Sequence, residues 1–196
     1  MLPPEIKSLS RQLFHSCEQL TSVFLPDNLS QIGIGAFEAC TALKSIRLPE
    51  HVLRIPKDAF AFCTSLKHVE LSNDLRSIGE SAFSGCTSLT HIELPCRLTF
   101  LAPSAFESCS NLMVIEVDPK SLSFSSRNGL LYNYSGDTLL LCPPCRKKVT
   151  LPQDVKCIES YAFFYNRQLR QIELPEGLER IESSAFAFCE NLKRVR

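Results

Sequence analysis

The stretch SAFSGCTSLTHIELP, Ser81 to Pro95, has near-copies on both sides. GAFEACTALKSIRLP (35–49) and DAFAFCTSLKHVELS (58–72) precede it, and SAFESCSNLMVIEVD (104–118) and SAFAFCENLKRVR (184–196) follow. Phe14, Phe37, Phe60, Phe83 and Phe106 are spaced by 23 residues, as are Cys17, Cys40, Cys63, Cys86 and Cys109. Phe163 and Phe186 resume the spacing. A fixed period in this range, with apolar residues at constant slots, marks a stack of structural units that bury their apolar faces against one another.

Within each unit the line L-x-x-I-x-L, as in Leu43, Ile46 and Leu48, carries the physics of a leucine-rich repeat. Ile46 and Leu48 are two apart and share one side of a strand, while Ser45 and Arg47 take the other. Pro49 ends the strand because it has no N–H for a ladder. The return segment SAFSGC is too short for a full helix and reads as a single helical or 3₁₀ turn. The expected fold is α/β: a leucine-rich-repeat solenoid, a horseshoe arc of about eight 23-residue coils with a parallel sheet on its concave side. At ~4.8 Å per strand that sheet is ~40 Å across.

Between Phe106 and Phe163 the spacing grows to 57 residues. LLYNY and TLLL flank Ser135-Gly136-Asp137, the pattern of a β-hairpin. A single domain is expected over 1–196, with regular repeats at 1–117, a long repeat with its hairpin at 118–151 and regular repeats at 152–196. The hairpin is expected to project, with Tyr132 and Tyr134 either forming a contact point or covering an edge of the core.

The 196 residues carry no net formal charge, 44% are apolar and 21% charged. This balance gives no global pull toward nucleic acid or an anionic membrane, and no basic cluster with interleaved aromatics is present. No apolar run approaches the ~20 residues of a membrane span, and MLPPEIKSLSRQLF lacks the layout of a signal peptide. Leu2-Pro3 occupies the slot of Leu25-Pro26, and the chain stops at Val195-Arg196 before a further Leu-Pro. Repeats cut at both ends are therefore expected, with end-to-end self-association as the other reading of uncapped ends.

Six of the ten cysteines occupy one slot. Free Cys favours buried apolar sites, and equivalent slots one coil apart have parallel Cβ vectors that suit bridging badly. Buried thiols are expected, with Asn166 replacing Cys in one coil. Cys142-Pro-Pro-Cys145 ends a strand instead of opening a helix, so it lacks the setting of a redox pair. Asn28-Leu-Ser30 and Asn133-Tyr-Ser135 fit the glycosylation pattern. No Ser sits on a nucleophile elbow, so catalysis is not expected.

If the strands form as predicted, two columns of outward side chains line the concave face. One holds Phe24, Arg47, Glu70, Glu93, Glu116, Thr150, Glu173 and Arg196. The other holds Ser22, Ser45, His68, His91, Val114, Lys148, Gln171 and Arg194. Like-charged glutamates one strand apart repel unless something offsets them. The candidate protein-binding residues are Phe24, Arg47, His68, Glu70, His91, Glu93, Glu116 and Glu173, with a basic partner segment as the complement. His68, Glu70, His91 and Glu93 are a weaker candidate set for zinc, and with it for metal-dependent catalysis. No cofactor is expected.

The line AF-x-x-C-x-x-L-x-x-I-x-L-P, with NGLLY, TLLLCPP and TLPQDV in the long coil, resembles the BspA-like leucine-rich repeat, the Treponema pallidum type. The resemblance covers essentially the whole chain. It implies a non-catalytic surface protein of the kind found on mucosal bacteria and parasitic protists, engaged in adhesion to host cells and matrix proteins. An intracellular scaffold or regulatory adaptor is the alternative.

Overall fold

In the computed structural model, which describes residues 2–196, the repeats stack into a β-solenoid. The strands are β1 (Ser45–Arg47), β2 (Arg54–Ile55), β3 (His68–Glu70), β4 (Ser77–Ile78), β5 (His91–Leu94), β6 (Phe100–Leu101) and β7 (Val114–Val117). The long coil adds β8 (Phe124–Arg127), β9 (Leu130–Asn133) and β10 (Thr138–Leu141). Then come β11 (Lys148–Thr150), β12 (Cys157–Ile158), β13 (Gln171–Glu173), β14 (Arg180–Ile181) and β15 (Arg194–Val195). All pairs between regular coils are parallel, with a register of 23: Ser45 faces His68, and Glu93 faces Glu116.

The interior is a set of columns. Phe14, Phe37, Phe60, Phe83 and Phe106 stack with ring centroids 5.2, 5.3, 5.4 and 5.5 Å apart. Phe37, Phe60, Phe83 and Phe106 are at most 1% exposed. Burial of rings this size supplies about 2–3 kcal/mol each relative to exposure. Leu43, Leu66, Leu89 and Leu112 form a second fully buried column.

The cysteine slot is a hydrogen-bonding slot. Cys63, Cys86 and Cys109 donate their thiols to the carbonyls of Phe37, Phe60 and Phe83, one coil back, at 3.1, 3.2 and 3.0 Å. Cys40 and Cys189 repeat the contact to Phe14 and Phe163. All ten cysteines are free. Asn166 keeps the function, since its Nδ2 donates to the Cys142 carbonyl at 3.1 Å. What the slot demands is a small buried donor.

The return segment departs from the expected helical turn, and no helix occurs among the described residues. Asp58, Phe60 and Phe62 donate their N–H groups to Glu80, Ala82 and Ser84 of the next coil at 3.0, 2.8 and 2.7 Å. Ala61 and Cys63 donate back to Asp58 and Phe60. Turning alternate amides outward requires left-handed backbone, and Asp58 and Phe62 stand at φ +57° and +60°. Such angles cost a bulky residue roughly 1–2 kcal/mol, which the inter-coil bonds offset. The Phe62 ring then covers Gly85, where a Cβ would lie 2.7 Å from it.

The concave strands form three ladders, β1–β3, β5–β7 and β11–β13–β15, in place of the one sheet expected. The split between β3 and β5 has a local cause. Coil three carries Leu71-Ser72-Asn73 where its neighbours carry Leu-Pro. Ser72 Oγ donates to the Glu50 carbonyl at 3.0 Å, and the Asn73 N–H donates to the Glu50 carboxylate at 3.2 Å. Coil three is thus held to coil two. The Leu48 N–H reaches the Glu70 carbonyl, but Leu71 makes no matching bond to Glu93. Val69 is half-buried where Ile46 and Ile92 are buried. On the far side the ladder β2–β4–β6 runs unbroken past the same boundary.

The long coil also differs from expectation. β8, β9 and β10 make an antiparallel meander, and β10 pairs in parallel with β12. The first turn is the two-residue loop Asn128-Gly129, with φ +53° and +77°, as a type I′ hairpin requires. The second is fixed by Asn133, whose Oδ1 accepts from the Gly136 and Thr138 N–H groups at 3.0 and 3.1 Å. The meander does not project. Tyr132 is 1% exposed and belongs to the core; Tyr134 alone is open. Leu131 and Leu141 pack into the N-terminal core cluster, and Leu130, Tyr132 and Leu139 into the C-terminal one. The alternation of strand side chains bridges the two.

Burial pushes the thiols of Cys63 and Cys109 up to about 12 and those of Cys40 and Cys189 up to about 11, against an ordinary 9.0. The folded chain keeps these thiols protonated while the unfolded chain ionises them, so their stabilisation is complete below pH 9 and is lost as pH rises through 11–12. The urea midpoint is expected to fall across this window, and to fall less steeply in a Cys63→Ala/Cys109→Ala variant. Equal slopes would contradict it. Asn166→Leu, which removes the donor at similar volume, is expected to cost about 1–3 kcal/mol in urea unfolding, and Asn166→Cys much less.

Candidate functional site

The concave face is built from the outward positions of strands whose inward positions are committed to the core. On β3 and β5, His68, Glu70, His91 and Glu93 are exposed while Ile92 is 1% exposed. The predicted columns stand within each ladder: Arg47 faces Glu70, Glu93 faces Glu116, and Thr150 faces Glu173. They are interrupted between His68 and His91 and again between Val114 and Lys148, where the ladders break. Phe24 lies on an extended segment with no ladder partner and is 66% exposed.

Arg47 and Lys148 relieve part of the glutamate repulsion, and His91 lies against Glu116. Arg47 Nε lies 3.3 Å from Glu70, and His91 Nε2 lies 3.2 Å from Glu116. Lys148 Nζ lies 2.9 Å from Glu173, and Thr150 Oγ1 donates to the same carboxylate at 2.7 Å. Those two hydrogen bonds hold the Glu173 carboxyl below its usual range. Glu93 has no ion pair among the described residues. These pairs are largely solvent-exposed and worth little to folding.

The strand split opens a groove of about 490 Å³ lined by His68, Glu70, His91, Glu93, Glu50 and Asp118, among others. A second groove of about 730 Å³ lies between the first two coils, where Phe24, Val23, Leu25, Pro26 and Pro49 make apolar walls. Glu50 and Asp118 join the site only through the split. Their signal in the sequence is an acidic residue just past the strand, in two different repeat slots: Glu50 follows Leu48-Pro49, whereas Asp118 stands in the slot that Pro49 and Pro95 occupy.

The zinc candidates do not converge. His91 is engaged with Glu116, and no group of three or more His, Cys, Asp or Glu side chains suited to a metal occurs among the described residues. Cys142 is 2% exposed, and burial pushes its thiol upward, opposite to the low-pKa thiolate of a redox motif. The Asn133 amide is spent within its turn, donating to Asp137 at 2.7 Å, whereas Asn28 is exposed. No helix is long and apolar enough to cross a membrane among the described residues.

Residues 1–122 and 142–196 match the model of the BspA type leucine rich repeat region, in six copies. A leucine rich cell surface protein from Faecalibacterium prausnitzii is 30% identical, with a TM-score of 0.81 over 97% of this chain and 51% of that one. The pneumococcal vaccine antigen PcpA is 27% identical, with a TM-score of 0.81 over 98% of this chain and 49% of that one. A leucine rich repeat protein of T. pallidum is 26% identical, with a TM-score of 0.62 over 97% of this chain and 76% of that one. The chain thus spans about half the length of the first two. Comparison with curated proteins finds no match. With its repeat line, its coil-by-coil register and this match over most of its length, the chain belongs to the BspA-type leucine-rich-repeat family.

Proposed function

We propose that the chain is a non-catalytic protein-recognition module, displayed at a cell surface for adhesion or recognition, that holds its partner on the concave face. The candidate contacts are Phe24, Arg47, His68, Glu70, His91, Glu93, Glu116 and Glu173. The observation that carries this reading is the division of labour along each strand. Inward residues make the core, and outward residues are exposed and in register within each ladder. Such a surface varies freely without disturbing the fold. The surface location is supported by the relatives described as a cell surface protein and as a vaccine antigen. The acidic run Glu70, Glu93 and Glu116 favours a basic segment on the partner.

Capture from host-cell and matrix extract on immobilised protein identifies the partner. Charge reversal at Glu70, Glu93 and Glu116 is then expected to weaken its binding about tenfold or more. Reversal of the pair Lys57–Glu80, on the return side of the coils, is expected to change it less than about twofold. The same concave variants should leave the unfolding free energy within about 0.5 kcal/mol per site. Equal effects from the two faces would place the partner elsewhere.

A further inference from the structure

Resting on the concave-face reading, we infer that the partner segment is an extended polypeptide with segregated chemistry. It carries an apolar residue at one end and basic residues about three to six positions away. The two grooves adjoin, since Leu48 and Glu50 line both, and together they form one trough along the first coils. Its first half has apolar walls, with Phe24 66% exposed beside Pro26 and Pro49, and is also lined by Asp27, Arg47 and His51. Its second half carries Glu50, Glu70, Glu93 and Asp118 against one lysine, Lys67.

The spacing follows from the stack. Along the stack, from Phe24 to Glu70 is two coils, about 10 Å, and to the coil that carries Asp118 four coils, about 19 Å. An extended chain advances about 3.4 Å per residue, so these distances equal about three and six residues. Arg47 stands between the two halves with its charge directed to Glu70 at 3.3 Å. It therefore acts as a spacer that disfavours a basic residue directly beside the apolar anchor. A small cation satisfies only the acidic half of the trough, and that same half repels nucleic acid or an anionic membrane. An extended basic-apolar peptide matches both.

The second half also offers backbone. At the split the Leu71 N–H lacks the inter-coil bond that Leu48 and Leu151 make in their ladders. A main-chain carbonyl of a peptide crossing the coils carries the acceptor for it.

The test uses two fluorescein-labelled peptides of about ten residues and identical composition. One has a Phe-Leu pair at one end and lysines from the fourth position onward; the other interleaves the same residues. Anisotropy with the full chain is expected to show the segregated peptide binding about tenfold more tightly. Phe24→Ala and Glu70→Lys/Glu93→Lys should each remove most of that difference. Equal affinity of the two peptides, no binding of the segregated one, or indifference to both variants would overturn the inference. So would a concentration-dependent dimer in sedimentation velocity that Glu70→Lys/Glu93→Lys abolishes, because a second copy would then occupy the trough. Loss of the natural partner on reversing Glu70, Glu93 and Glu116 while the peptides fail would leave the concave-face reading standing and sink this one alone. Loss on reversing Lys57 and Glu80 instead would sink the concave-face reading itself.

Discussion

Every coil is held by hydrogen bonds that its own residues cannot complete. The Phe60 N–H needs the Ala82 carbonyl of the next coil, and the Phe60 carbonyl receives the Cys86 thiol. Each unit therefore carries N–H groups, Phe60's among them, that stay unpaired until its neighbour arrives, and burying them unpaired costs about 1–3 kcal/mol apiece. The stacked rings and leucines supply the apolar driving force, but these bonds set the register. With the register set, Ile46 faces Val69 and Arg47 faces Glu70 without further specification.

Much of this was legible from periodicity alone. The 23-residue spacing gave the stack, the L-x-x-I-x-L line gave the strands and their outward columns, and the shared slot gave buried thiols at Cys40, Cys63, Cys86 and Cys109, while Cys17 in the first coil is exposed and Cys189 in the last is partly buried. The thiol-to-carbonyl bond was not legible, because composition cannot distinguish a cysteine chosen for size from one chosen as a donor. Asn166 was the clue: a polar amide in a buried column makes sense only if the slot needs a donor. The helical return turn failed because the residues were read within one coil. Their amides point to the next one, and left-handed φ at Asp58 and Phe62 follows from that.

The long coil was read correctly at the Ser135-Gly136-Asp137 turn and incompletely before it. Asn128-Gly129 is a strong hairpin signal, and it predicts β8 and the meander directly. The projecting reading, one of the two left open for Tyr132 and Tyr134, assumed a hairpin with two solvated faces. In the structure β9 lies between two core clusters, so both of its faces are buried. Similarly, the outward columns were visible as a list of residues but their interruptions were not. The split after β3 depends on Ser72 and Asn73 turning back to Glu50, a tertiary contact between coils.

That split has a mechanical consequence. Across the boundary between the third and fourth coils, one rail of the solenoid is continuous through β4 and β6 while the rail facing it is not. At this point strand-to-strand bonds tie the coils together on one side only, while the Phe60–Phe83 stack carries the core across. A change of curvature here therefore breaks no ladder on the inner surface, where none spans the boundary.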